Sequence, residues 1–283
     1  MAKPRAASKA VRPIAELGQG LPTQILEVIE ASHGDPDFMT SLARGMAVLH
    51  CFNVRQRALS VSQISQSTGL PRASIRRVLH TLARLGYVAQ EGQGFVLLPR
   101  VLGVGNAYLS SATHIAVAQP ILDALRDRVH ESCSMGVLDV DQVLYVARAE
   151  TTRIMSISLR PGSRIPAYCS SMGRVMLAHF SDARLAAYLS HVALHPYNER
   201  TIVDVDKLRT ALREVRRNGY CIVDQELELG LRSVAVPVHA PQGEVIGAFN
   251  IGTQSARVTL NALKTELLPR LREAAAAFEA RLL

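Results

Sequence analysis

Residues 60 to 98 read SVSQISQSTGLPRASIRRVLHTLARLGYVAQEGQGFVLL, a run of helix starts and stops dense enough to exclude most folds. Ser60, with Gln63 three residues on, makes a capping box in which hydroxyl and amide satisfy orphan amides at a helix start. Gly69 supplies the positive φ of a sharp helix exit, and Pro71, read as a first helical position, loses no hydrogen bond there. In the helix that follows, Ile75, Val78, Leu79, Leu82 and Leu85 recur at spacings of three and four, the period of a buried face. Arg72, Ser74, Arg76, Arg77, Thr81 and Arg84 fall on or beside the opposite face. Gly86 ends this helix, and Tyr87 to Gln90 with Phe95 to Leu98, joined across Glu91 to Gly94, predict a hairpin. A further helix over Leu42 to Phe52, capped by Ser41 and carrying Leu42, Met46 and Leu49 on one stripe, completes a three-helix core. The whole predicts a winged helix-turn-helix.

Charge supports that reading and gives it a chemistry. Residues 38 to 112 hold eight arginines against one acid, Glu91, so they carry +7 of the chain's formal +8. A basic field of this kind attracts a phosphate backbone, steers association and makes it strongly salt-dependent. A planar guanidinium holds guanine O6 and N7 bidentately or grips a phosphate, and Ser or Thr bonds to either. The candidate contacts to double-stranded DNA are Arg44, Ser62, Arg72, Ser74, Arg76, Arg77, Thr81 and Arg84.

At 283 residues, with 48% of them hydrophobic, the chain is long enough for two domains, each with its own core. No stretch is long and apolar enough to span a bilayer, so no membrane partner is expected. Cys51, Cys133, Cys169 and Cys221 lie far apart without a CxxC pair, which argues against a zinc site and for a reduced, cytoplasmic setting. No signal-peptide pattern follows the basic start. The expected organisation is a flexible arm over residues 1–37, with a short helix from Thr23 to Ala31, then the winged domain over 38–100. A linker helix over 101–118 leads to a second domain over 119–283.

That second domain reads as α+β. Ile121 to Glu131 is an amphipathic helix, and Ser134 to Val140 with Val143 to Arg148 alternate as a hairpin; Arg153 to Leu159 reads as a strand. Ser181 and Asp204 each cap a helix, the second stopping at Gly219, and Thr259 starts a long final helix. Ser233 to His239 and Val245 to Thr253 form another hairpin. Hairpins outnumber strand-helix-strand crossovers, so the sheet is expected to be mainly antiparallel.

The motifs then carry a resemblance. ESCSMGVLD from Glu131, RIMSISLRPGSRIPAYCSSMGRV from Arg153 and DQELELGLRS from Asp224, behind a winged helix-turn-helix, resemble the IclR family of bacterial transcription regulators, most closely its Pca/Pob branch. The likeness covers the chain from about Phe38 to the C-terminus. It implies a GAF-like effector domain that binds a small aromatic or dicarboxylic acid, such as protocatechuate, 4-hydroxybenzoate or β-ketoadipate, to control aromatic catabolism. It also implies a homodimer or tetramer on a palindromic operator; no cofactor or metal is expected from the residues themselves, nor an enzymatic role. Two positions depart from the family pattern: Val223 precedes Asp224 where many members carry two acids, and Ser233 stands where many carry a cysteine.

A pocket for such an acid needs an arginine or backbone amides, with hydroxyls to read further oxygens in an apolar cleft. Arg148 and Arg164 lie near strand ends, as do Arg153 and Arg160. Tyr168, Ser170, Ser171, Met172 and Gly173 surround a helix start whose amides favour an anion. Asp224 and Ser233 complete the candidate set; Asp224, Glu226, Glu228 and Arg232 fit either a pocket wall or an ion-paired loop. Cys169 with His179, His191, His195 and His239 offers nucleophile and base types, but no nucleophile elbow, paired metal ligands or phosphate loop accompanies them.

Overall fold

The computed structural model describes residues 21–52, 57–111, 113–151 and 159–282. They divide into two units, one ending at Ser111 and one beginning after it.

The first unit contains α1 (Leu21–Ala31), α2 (Thr40–Leu49), α3 (Val61–Thr68), α4 (Arg72–Arg84), β1 (Val88–Glu91), β2 (Gly94–Leu97) and α5 (Leu102–Ser111). The capping box at Ser60 forms as the sequence dictates: the Gln63 amide donates to Ser60 Oγ, and the Ser60 amide donates to Gln63 Oε1. Gly69 closes α3 at φ 67°. Pro71 sits one residue earlier than expected, as the N-cap of α4 rather than its first helical residue. β1 and β2 pair antiparallel through a two-residue turn, and Leu59 adds a bridge to Phe95, tying the wing to the start of α3. The core gathers Val48, Cys51, Leu59, Ile64, Leu70, Ile75, Leu79, Leu82 and Val88.

The short helix expected from Thr23 to Ala31 forms as Leu21–Ala31, packed on α2 and α3 with Ile25, Leu26 and Ile29 half-buried; the expectations corrected in this unit lie in α2 and α4. Residues 1–20 lie outside the described residues. In α2 the buried residues are Ala47 and Val48, whereas Leu42 and Met46 face outward, and Thr40 rather than Ser41 opens the helix behind the N-cap Met39. Leu85 is the half-exposed C-cap of α4, because Leu82 already completes the inward face.

The second unit holds α6 (Thr113–Val129), β3 (Ser132–Asp139), β4 (Gln142–Ala149), β5 (Arg164–Pro166), α7 (Ser171–Ala178), α8 (Asp182–His191), α9 (Val205–Asn218), β6 (Cys221–Asp224), β7 (Leu231–His239), β8 (Val245–Gln254), α10 (Leu260–Ala262) and α11 (Leu268–Glu279). Of the linker helix expected over 101–118, Leu102–Ser111 and the residues from Thr113 on are helical, and α6 starts eight residues before the expected Ile121 with Pro120 inside it. The helix tolerates this proline because Ala116, whose carbonyl loses its i+4 donor, is exposed to water. Leu263–Leu267 widens into a π turn between α10 and α11, just ahead of Pro269, which has no N–H to continue an α ladder. The strand expected over Arg153 to Leu159 falls mostly outside the described residues.

The six strands form one antiparallel sheet in the order β5-β4-β3-β8-β7-β6. Strand alternation sends Phe249, Ile251, Val234, Val236, Cys133 and Met135 to one face, where α6 and α11 cover them. Ala248, Ala235, Val143, Tyr145, Cys221 and Val223 face the other side, under α7, with α9 packed on α7 and α8 adding Tyr188 and Leu189. Among the described residues no helix is long and apolar enough to cross a membrane.

Candidate functional site

In the first unit, α4 has a period that buries Ile75, Leu79 and Leu82 and leaves Arg72, Arg76, Arg77, Thr81 and Arg84 exposed. Arg77, Thr81 and Arg84 follow one another at spacings of four and three, so they share a face. Ser74 is half-buried beside them, and Ser62 is exposed at the start of α3. Thr81 Oγ1 donates to the Arg77 carbonyl at 3.0 Å, so its acceptor capacity is what an outside donor meets. Arg44 is half-buried on α2, with a buried Nε that has no hydrogen-bond partner among the described residues.

In the second unit, a cavity opens between the sheet and the N-terminus of α7, lined by Ser132, Tyr145, Arg148, Ser170, Ser171, Met172, Ser233 and Asn250 together with apolar residues. Ser170 caps α7, accepting from the Gly173 amide at 3.2 Å, and the first-turn residues Ser171 and Met172 border the cavity where a helix start favours an anion. Ser233 Oγ donates to Ser171 Oγ at 2.9 Å, joining β7 to this helix start. Arg148 is held with its side chain 7% exposed; Nη1 donates to Ser134 Oγ at 3.0 Å, and Nη2 reaches Glu150 at 3.5 Å. Its Nε is buried without a partner among the described residues. A buried N–H in that condition costs about 1–3 kcal/mol, which an anionic acceptor in the cavity would recover. Burial pushes the Tyr145 phenol up to about 12, so it faces the cavity as a neutral O–H.

Of the predicted residues, the cavity brings together Arg148, Ser170, Ser171, Met172 and Ser233. The other four support it from behind or beside. Arg164 is paired with Asp139, and the Tyr168 hydroxyl donates to the His195 carbonyl at 2.6 Å. Gly173 packs under the Ala167 peptide, where a Cβ would lie 2.2 Å from the carbonyl oxygen. Asp224 accepts from Arg232 at 2.7 Å, and that hydrogen bond holds its carboxyl below the usual carboxylate range. In the same loop Glu226 is also ion-paired, taking both Arg174 Nη atoms at 2.6 Å in a buried fork. Arg160 is exposed, and Arg153 lies outside the described residues. The sequence reading missed Ser132, Tyr145 and Asn250. For Ser132 and Asn250 the signal was strand phase, since both share the sheet face of Arg148 once the register is known, whereas Tyr145, three residues from Arg148, reaches that face only through the bulge opposite Met135 and Gly136.

The comparisons agree with both halves of this geometry. Residues 41–92 match the model of the IclR helix-turn-helix domain, and residues 106–280 match that of the bacterial transcriptional regulator IclR C-terminal domain. The chain is 48% identical over 244 residues to the Pca regulon regulatory protein of Pseudomonas putida, covering 86% of this chain and 84% of that one. A transcriptional regulator structure from Rhodococcus sp. RHA1 shares 45% identity at a TM-score of 0.75, covering 87% of this chain and 98% of that one. An IclR homologue from Microbacterium hydrocarbonoxydans, solved in complex with 4-hydroxybenzoate, aligns at a TM-score of 0.74 with 27% identity, over 86% of this chain and 98% of that one. With a winged helix-turn-helix in one unit and this sheet and cavity in the other, the chain belongs to the IclR family of bacterial transcriptional regulators.

Proposed function

We propose that this chain is an effector-responsive transcription regulator of aromatic-acid catabolism, reading DNA through α4 and sensing an organic acid in the cavity under α7. The observation that carries the reading is the buried Arg148 side chain, which lines the same cavity as the α7 start and whose Nε has no hydrogen-bond partner among the described residues. One carboxylate then recovers both an orphan N–H and a helix-dipole interaction. The relatives named for the Pca regulon and the 4-hydroxybenzoate complex support acids of that pathway as the effector class. A homodimer or tetramer on a palindromic operator fits the exposed Leu102 and Val104 of α5, which suit burial against a second copy. A chromosomal target puts the protein in the cytoplasm. No catalytic role is needed: burial holds the Cys169 thiol well above its ordinary range, which removes the thiolate a nucleophile requires.

Two measurements test the two ends. Arg77→Ala is expected to weaken operator binding by about fivefold to a hundredfold in fluorescence anisotropy, a cost of about 1–3 kcal/mol. If Arg77 grips a phosphate, the slope of log K against log salt also falls by about one. Arg77 is exposed, so the melting temperature should not move; unchanged anisotropy titrations would remove α4 as the reader. Arg148→Met keeps the volume and removes the charge. It should raise the Kd for protocatechuate or 4-hydroxybenzoate by about tenfold to a hundredfold, the worth of hydrogen bonds to a charged group. Operator binding without effector should be preserved, and an effector titration indistinguishable from wild type would overturn the carboxylate assignment.

A further inference from the structure

The register lays a polar row across the cavity floor. Arg148 of β4 pairs with Ser134 of β3, and Ser134 pairs with Asn250 of β8. Two residues along, Ser132 of β3 pairs with Gly252 of β8, and Gly252 pairs with Ser233 of β7. All of these share the face of the sheet that α7 covers.

Asn250 is the unexpected member. Its neighbours Phe249 and Ile251 are fully buried in the opposite core, and the strand around it reads GAFNIG, otherwise apolar or glycine. The Asn250 side chain lines the cavity from a residue only 6% exposed, and its Oδ1 is buried with no hydrogen-bond partner among the described residues. Alanine, valine or leucine would fill that position without leaving a buried acceptor unmet. A terminal amide offers one acceptor oxygen and two N–H donors, so a single group takes either a hydroxyl or a carbonyl. Arg148 and Asn250 flank β3, two strand spacings or about 9–10 Å apart along the sheet, a span that a ring or a short chain bridges once side chains reach inward.

We infer that Asn250 determines effector specificity by reading a second oxygen on the acid whose carboxylate Arg148 binds. The inference rests on the effector reading proposed above. It narrows the ligand class to carboxylic acids that carry a hydroxyl or carbonyl at their far side and disfavours the bare acids, because an analogue lacking the oxygen leaves the amide unmatched.

The test compares wild type with Asn250→Leu by isothermal titration on two pairs of probes: 4-hydroxybenzoate with benzoate, and 3-oxoadipate with adipate. Wild type is expected to prefer the oxygenated member of one pair by about tenfold or more. The aromatic pair reports a hydroxyl read by the amide oxygen, and the acyclic pair a carbonyl read by the amide N–H. In Asn250→Leu the preference should collapse to within about twofold, through weaker binding of the oxygenated acid and unchanged or tighter binding of the bare one. Asn250→Ala, which fits beside Ala235 and Ala248, provides the same readout if leucine over-fills the site. A preference that survives in the folded variant overturns the inference, as does a wild type that binds the acids without discriminating within either pair. A wild type that binds none of the four overturns the effector reading and this inference with it.

Discussion

Glu226→Ala is expected to destabilise the second unit by about 3–5 kcal/mol, the usual cost of removing one partner from a buried ion pair. The wild-type carboxylate accepts both Arg174 Nη atoms at 2.6 Å and the Ile202 amide at 3.1 Å, while Arg174 Nε donates to the Tyr168 carbonyl at 2.7 Å. Alanine leaves a guanidinium that is 3% exposed without its counter-charge, which neither water nor a pKa change readily compensates for arginine. For a unit of this size the loss corresponds to a fall in melting temperature of about 6–20 °C. The double variant Arg174→Met, Glu226→Leu separates charge from packing. Replacing both partners by apolar residues of similar volume is expected to recover most of the loss, because the desolvation cost of the pair disappears with the pair. Thermal melts of the three proteins decide it: a single variant melting within about 1 kcal/mol of wild type would mean that the fork is not a buried pair in solution.

The same pair shows where sequence is legible and where it is not. Caps are local, so Ser60, Gly69, Ser181, Asp204, Gly219 and Thr259 were readable without any knowledge of the fold. Ser170 belongs to that group, which is why the α7 end of the cavity was accessible from sequence. The face of α2 was not, because Leu42 and Met46 satisfy a helical period as well as Ala47 and Val48 do. The choice between them is made by where α1 and α4 lie. Site residues divide the same way. Arg164, Tyr168 and Asp224 have the chemistry of ligand contacts, but Asp139, His195 and Arg232 engage them, and those pairings follow from the sheet and loops rather than from spacing. Asn250 reaches the cavity through strand register, which is a property of β3 and β8 together.

Gly173→Ala tests the geometry of the α7 start by the sign of its effect. Helix propensity alone predicts a gain, since glycine inside a helix is about 1 kcal/mol worse than alanine. Packing predicts the opposite. A Cβ at residue 173 would lie 2.2 Å from the Ala167 oxygen and 2.3 Å from its Cα, contacts with backbone that no side-chain rotation relieves. Either α7 lifts away from the Ala167 peptide or that peptide is pushed outward, and overpacking of this kind costs about 3 kcal/mol, the upper end of its usual range. Both movements displace Ser170 and Ser171, whose hydroxyls meet the Gly173 amide and Ser233 at the cavity. The expected result is therefore a destabilised second unit together with weakened effector binding, while binding of the operator by α4 in the absence of effector is kept. A thermal melt and an effector titration on the same preparation check both. If Gly173→Ala melts higher than wild type, the close approach of α7 to Ala167 is wrong, and with it the placement of the helix start that the carboxylate is proposed to meet.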